Sequence, residues 1–363
     1  MGCSAARPPR RTLRPMHFDP DAAAQPGTGI FGLPFKRKDA KIVLIPVPFD
    51  ATTSYGGGTS GGPQAIFDAS AQVDLLDHQF GRTFEHGIFM EPIPARIAAL
   101  SRRARKLAVP ILARGGAALR DRRAVRAIND ACFAVAEHTY DRASQAFNEG
   151  RIPGLVGGEH STPFGAIWAA SDFVTKIRGN RGLGVLQIDA HMDLREAFEG
   201  FAWSHASIMH NVLWLLPRVS RLVQVGIRDY GKGELDASRA SKGRVRTHFD
   251  LNWSRAIDAG AKFETLCRAA IKPLPRHVWL SFDIDGLDPS LCPHSGTPVP
   301  GGLSFNRACV LLELLGRSGR RIVGFDLSEV CPGINPREPE WDANVGARLL
   351  YKLCGAAAMS QAG

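Results

Sequence analysis

Three short stretches of this sequence bring metal-ligating side chains close together. Gly157-Gly158-Glu159-His160-Ser161 offers one imidazole. Asp189-Ala190-His191-Met192-Asp193 sets two carboxylates around a second imidazole, and Ser281-Phe282-Asp283-Ile284-Asp285 ends in two acids at alternate positions. In extended chain, residues i, i+2 and i+4 point to the same side, so Asp189, His191 and Asp193 can converge on one point, as can Asp283 and Asp285. Crowding carboxylates without a cation costs on the order of several kcal/mol in repulsion and lost hydration. A bound cation resolves that conflict most simply. Each motif also has an ordinary reading: a DxHxD stretch is at home in a solvated turn, and a lone His after a strand also serves as a core or helix-capping residue. Asp288, which precedes Pro289, reads as a turn-setting residue rather than a ligand.

Together these residues supply two imidazoles and four carboxylates, a hard nitrogen and oxygen set without thiolates. Six such ligands exceed what one structural zinc takes; with bridging carboxylates they hold two divalent ions about 3.5–4 Å apart. Oxygen-rich six-coordinate sites favour Mn(II), and imidazoles also admit Ni, Co or Fe. Water shared by two such ions is acidified to near neutral pH, which makes it a hydrolytic nucleophile.

The chemistry needs a frame that brings these stretches to one place. Short β-branched runs at Lys41–Val47, Ile152–Val156, Leu183–Ile188, Leu222–Val225, Val278–Phe282 and Ile322–Phe325 predict strands. They are nearly continuous apolar runs, as strands buried on both faces of a parallel sheet must be. Between them, helices are expected at Pro63–Asp77, Asp121–Asn148, Pro163–Lys176, His205–Leu216, Ser304–Leu315 and Asp342–Leu353. This alternation predicts one three-layer α/β/α domain over residues 35–355, after an N-terminal extension (1–34, flexible at 1–15) and before a C-terminal tail (356–363). The candidate ligands, together with Glu329, follow the predicted strands directly. In open α/β sheets, ligands bind outside the carboxyl ends of the strands.

Composition narrows the class further. The 363 residues carry 45 Lys+Arg against 35 Asp+Glu, and 44% are hydrophobic, an average globular usage rather than a disordered or collagen-like one. No apolar run approaches the eighteen or so residues of a membrane helix. Seven scattered cysteines without a CxxC pair fit reduced thiols in a cytoplasmic protein. The first fifteen residues hold four arginines, no acid and no apolar core, which excludes a secretory signal; a disordered tail, or a true start at Met16, is expected. The basic clusters Arg102, Arg103, Arg105, Lys106 and Arg120, Arg122, Arg123, Arg126 lie in helix-like sequence without interleaved aromatics. They read as a solvated helix face or subunit contact, not a nucleic-acid interface. Gly56-Gly57-Gly58-Thr59-Ser60-Gly61-Gly62-Pro63 lacks the Lys of a phosphate-binding loop, and Pro63 suits a first helical turn.

GGEHS, DAHMD, SFDIDGLDP and GFDLSEV, in this order over roughly residues 41–350, resemble the ureohydrolase family of arginases and agmatinases. The resemblance implies a mostly parallel eight-stranded sheet between helical layers, a homo-oligomer (trimer or hexamer), and a centre of two divalent ions, Ni2+ or Mn2+, that hydrolyses a guanidino group to urea. It implies one metal held by His160, Asp189, Asp193 and Asp283, the other by Asp189, His191, Asp283 and Asp285, with Asp189 and Asp283 bridging and Asp285 also orienting the nucleophile. Glu329 would pair the planar guanidinium, for which a carboxylate is the natural partner, and His205 would shuttle the proton that a departing amine requires. The Gly296–Leu303 stretch resembles an agmatinase-like substrate loop, and just ahead of it His294 stands where a small residue is common and is expected to reshape the pocket. Where arginases place an Asn after DxHxD, this chain has Leu194-Arg195, and the SHG of agmatinases is Ser204-His205-Ala206 here. An ammonium-bearing substrate is disfavoured by Arg195. The stretch from Asp193 to Met209 and the Phe18–Phe35 segment look most like the branch acting on free guanidine or small alkylguanidines. The alternatives are an agmatinase or guanidinobutyrase acting on a longer ω-guanidino compound, and a low-activity partner subunit of a hetero-oligomeric ureohydrolase.

Overall fold

Every one of the six apolar runs becomes an interior strand of a single sheet. The computed structural model describes residues 18–25, 27–177, 179, 182–333 and 340–361. Its strands are β1 (Ile42–Val47), β2 (Ile88–Met90), β3 (Ile152–Gly157), β4 (Leu183–Ile188), β5 (Val219–Ile227), β6 (Val245–Phe249), β7 (His277–Asp283) and β8 (Arg321–Ser328). All pair in parallel, in the order β2-β1-β3-β8-β7-β4-β5-β6. The two strands absent from the sequence reading are the two edges: β2 has three residues, and β6 (VRTHF) is half polar. An edge strand packs on fewer neighbours, so its sequence carries less of the apolar signature.

Ten helices are described: α1 (Gly62–Ser70), α2 (Ala95–Leu112), α3 (Arg122–Asn148), α4 (Phe164–Thr175), α5 (Ile208–Leu215), α6 (Lys232–Ala240), α7 (Asp250–Asp258), α8 (Phe263–Ile271), α9 (Phe305–Gly316) and α10 (Trp341–Met359). Side chains alternate along each strand, so Ile42 and Leu44 enter the core under α1 and α8–α10, whereas Ile45 and Val47 enter the one under α2–α5. The sheet is therefore buried on both faces, which is what the unbroken apolar runs require.

Some boundaries differ from expectation. Helix α1 stops at Ser70, whose hydroxyl accepts from the Phe31 amide, instead of running to Asp77. His205–Ser207 form a 3-10 turn ahead of α5. Ile30, Phe31 and Leu33 are buried, so the N-terminal extension joins the core before residue 35, and α10 carries the buried Ala356–Ala358 past residue 355. The tail 1–15 lies outside the described residues. The basic clusters sit on α2, α3 and the turn between them, and most are exposed; Arg105 departs from this by donating to the Thr53 carbonyl. Six cysteines are buried and unbridged; Cys3 is outside the described residues. Among the described residues, no helix is long and apolar enough to cross a membrane.

Candidate active site

The four central strands β3, β8, β7 and β4 are neighbours in the sheet, and each delivers a candidate residue from its carboxyl end. After β3 the chain turns hard against the β1 loop: a Cβ on Gly158 would stand 2.0 Å from the Phe49 carbonyl oxygen, so only glycine fits. His160 follows, fully buried. After β4, Asp189 and His191 come in sequence and Asp193 adopts a left-handed backbone (φ 52°). The convergence of that motif thus relies on a local twist rather than on plain extended chain. Asp283 ends β7 and Asp285 follows it, and after β8 comes Glu329, also left-handed at φ 62°. Non-glycine residues in this region cost of order 1–3 kcal/mol each and cluster at working sites.

His160 Nδ1 stands 2.9 Å from Asp193 Oδ2, 3.0 Å from Asp189 Oδ2 and 3.4 Å from Asp283 Oδ2. His191 Nδ1 is 3.0 Å from Asp285 Oδ2 and 3.6 Å from Asp189 Oδ1. Two ligand triads result, His160/Asp189/Asp283 and Asp189/His191/Asp285, each with its donor atoms within 4.8 Å of one another and with Asp189 in common.

The far side of the His160 ring sets its tautomer. Ser281 Oγ gives its proton to Asp326 Oδ1 at 3.0 Å and lies 2.9 Å from His160 Nε2. The serine has one proton, so Nε2 must donate to it, and in the neutral ring Nδ1 is left bare toward three carboxylates. Nδ1 makes no well-aligned hydrogen bond. A lone pair facing three anions at these distances demands a positive charge between them, and the hard N/O donor set fits divalent ions. The carboxylates show the same conflict: burial pushes Asp193 up to about 7 with Asp189 adding to it, and burial pushes Asp283 well up with Asp285 and Asp189 beside it. Burial opposes charge on His160 too, but Asp189 and Asp193 outweigh it and raise its affinity for a proton.

Glu329 Oε1 accepts from the His160 amide at 2.9 Å, whereas Oε2 is buried without a partner among the described residues. Burial, with Glu159 nearby, holds this carboxyl well above its usual range. Such an oxygen awaits a cationic donor. His205 is buried, its amide donating to Thr52 Oγ1 at 3.1 Å and its Nε2 lying 3.5 Å from Ser54 Oγ. Burial, then the charges of His191 and His160, push it down to about 3, so the ring rests neutral.

A cavity of about 260 Å³ opens onto this cluster. His191, Asp193 and His205 are in its wall, Thr297 in the wall donates to Asp285 Oδ2 at 3.4 Å, and His160, Asp189, Asp283 and Glu329 stand outside the wall, buried. Tyr55, Phe198, Arg195 and Asp229 line it as well. Thr297, Pro298 and Val299 of the Gly296–Leu303 stretch reach the cavity, but His294 does not. Its Nδ1 pairs with Asp342 Oδ2 at 2.9 Å at the start of α10, so it ties the loop to that helix instead of shaping the pocket. Asp288 accepts from the Ser290 amide and sets its turn as expected.

A sequence model of the Arginase family matches residues 40–355.

The chain belongs to the arginase family.

As an arginase-family protein it is a metal-dependent hydrolase acting on C–N bonds of amidino groups. Among its relatives, the N(1)-aminopropylagmatine ureohydrolase of Synechocystis sp. is 30% identical over 319 residues, covering 87% of this chain and 89% of that protein. In fold it is similar to the proclavaminate amidino hydrolase from Streptomyces clavuligerus (TM-score 0.69, 21% identity, 93% of this chain and 99% of that one). It is also similar to the agmatine ureohydrolase of Thermoplasma volcanium (TM-score 0.66, 20% identity, 90% and 93%).

The residues behind the candidate ligands lie inside the same arginase-family motifs, but no role was assigned to them from sequence. Asp326, pushed up to about 6 by burial, takes hydrogen bonds from Ser281 and the Trp279 indole. Glu159 is fully buried and accepts from the Thr52 amide and hydroxyl, each at 2.7 Å, and from Ser161 Oγ at 2.6 Å, binding the Asp50–Gly58 loop to the His160 turn. The usable signal was a polar residue inside an apolar run, Ser281 in VWLSF and Asp326 in GFDLS.

Proposed function

We propose that this arginase-family protein hydrolyses guanidine or a small alkylguanidine to urea plus ammonia or an amine. The observation that carries the substrate choice is Arg195. Its guanidinium lies 4.7 Å over the Phe198 ring and its Nε is 3.4 Å from Glu234 Oε2, so a cation is fixed in the wall of a cavity of only about 260 Å³. A second positive group on the substrate would meet this guanidinium at the cavity wall, a repulsion that the Glu234 carboxylate and the solvent reaching Arg195 reduce without removing. Asp229 in the same wall and the Synechocystis relative's name favour one second reading, an agmatine-like substrate whose amine reaches that carboxylate.

His160, Asp189, Asp193 and Asp283 would hold one divalent ion, and Asp189, His191, Asp283 and Asp285 the other, Mn2+ or Ni2+. Bound there, the pair supplies a water acidified toward neutral pH and a positive field that stabilises the carboxylates. The chain's own groups do the rest. Glu329 Oε2 takes a guanidinium N–H and orients the planar carbon over the cluster. Neutral His205 accepts a proton and passes it to the nitrogen that leaves, since an amine departs only when protonated. Guanidine plus water becomes urea plus ammonia, with no other reactant.

Urea release is measured with protein reconstituted separately with Mn2+ and Ni2+, against guanidine, methylguanidine, agmatine, guanidinobutyrate and arginine. Turnover of guanidine or methylguanidine above the others supports the proposal; agmatine turnover moves the protein to the second reading. No urea from any pair, with two ions bound, supports the partner-subunit reading instead.

A further inference from the structure

Asp189, the carboxylate shared by both ligand triads, is backed by a row of buried amides. Gln187 and Gln224 pair across β4 and β5, and Gln224 pairs with Thr247 across β5 and β6, so three polar residues line up on adjacent strands inside apolar sequence. Both glutamines are wholly buried. Thr247 Oγ1 donates to Gln224 Oε1 at 2.9 Å, Gln224 Nε2 donates to Gln187 Oε1 at 2.8 Å, and Gln187 Nε2 donates to Asp189 Oδ2 at 2.8 Å. The direction is forced, because the second amide protons go to acceptor-only carbonyls, Met192 O at 2.7 Å and His191 O at 3.3 Å. All the donors therefore run toward the carboxylate. Asp189 Oδ1 accepts from the His191 amide at 2.6 Å. Each carboxylate oxygen thus has one hydrogen bond and one lone pair left over, which is the valence a ligand needs to serve two ions at once.

We propose that the Gln187–Gln224–Thr247 row is a positioning relay that presets Asp189 as the shared ligand and thereby sets the affinity for the metal pair. Two buried amides on interior strands are a destabilising choice unless every proton is used, and here all are used, ending on a metal ligand. Partners of this kind typically account for about 10–100-fold in metal affinity. The relay rests on the two-metal reading of the site.

The test is the dissociation constants for Mn2+ in Gln187→Met, Gln224→Met, the double variant and Thr247→Val, by competition with a chromogenic chelator, with urea unfolding of each metal-free protein alongside. Gln187→Met is expected to bind about 10–100-fold more weakly. Gln224→Met should lose less, and the double variant less than the sum of the two single losses, because Gln224 reaches Asp189 through Gln187 and otherwise touches the ligand stretch only at the Met192 carbonyl. Thr247→Val, a near-isosteric change on the edge strand, should weaken binding several-fold and keeps the test open if a glutamine variant does not fold. Unchanged affinity in these variants, losses that add, or losses that merely track the fall in metal-free stability would overturn the relay while leaving the metal site standing. Failure of the wild-type protein to bind two ions would overturn both.

Discussion

Asp283 faces His160, lies in one triad, and accepts the Asp285 amide at 2.9 Å, so it orients a second ligand as well. Asp283→Asn should abolish turnover and leave fewer than two ions per chain by elemental analysis; full activity with two ions would refute its assignment. His205 makes a different prediction, because the role proposed for it is proton transfer and not ligation. His205→Gln should retain both ions yet slow turnover by about 10²–10⁴-fold. The same residue predicts a pH effect on stability. Folded His205 sits at about 3, below the ~6.5 of the unfolded chain. Between these values the unfolded state binds the extra proton, so His205 costs nothing above pH ~6.5 and destabilises progressively as pH falls toward about 3. Urea unfolding over that window should show the wild type losing stability relative to His205→Gln; a constant gap would mean the ring titrates normally.

At the scale of elements, one side chain binds two loops of the site. Arg228, just past β5, donates to the carbonyls of Asp285 (2.6 Å) and Leu287 (3.1 Å) on one loop and of Val299 (2.9 Å) and Pro300 (3.1 Å) on the other. Arg228→Met strands those carbonyls; it should lower stability by about 2 kcal/mol in urea unfolding and raise KM, since Val299 lines the cavity. No change in either would remove the clamp. Beside the cavity, Phe198 and Phe201 close a two-residue turn whose central Glu199 and Gly200 have φ of 52° and 95°. Both are left-handed, and Glu199 Oε2 is buried without a partner. Glu199→Asn should raise the unfolding midpoint, worth about 1 kcal/mol. Such loops were the least legible part of the sequence. The ligand motifs could be read because a strand rich in β-branched residues ends abruptly in acids, whereas Arg228 looks like any arginine until the loops it joins are in place. The wrong expectation for His294 has the same origin: its neighbours in sequence reach the cavity, but its own partner, Asp342, lies on a distant helix.

For the whole molecule, the six interior strands were legible and the two edges were not, and every ligand comes from the interior, so the site could be read even where the sheet's rim could not. Four candidate ligand carboxylates concentrated at the sheet's centre should make the fold's stability respond to what neutralises them. Added Mn2+ or Ni2+ should therefore raise the thermal midpoint, with about 4 kcal/mol of stabilisation at a thousand times Kd, and a chelator should reverse it; an unmoved midpoint would contradict the site. The junction of His160 and Glu329 sets a further condition. Their hydrogen bond closes a separation of 169 positions, and the ligands between them arrive on β4 and β7, which meet the ends of that span only when the sheet is assembled. Contacts so distant in the chain form late in folding. On the ribosome, a chain that stops before β8 lacks the strand lying between β3 and β7, so nothing in the sheet yet holds His160 against Asp283. The His160 half of the proposed pair of ions is therefore expected to fill only in a nearly finished molecule, after the Asp189/His191/Asp285 triad on the neighbouring β4 and β7 is in place.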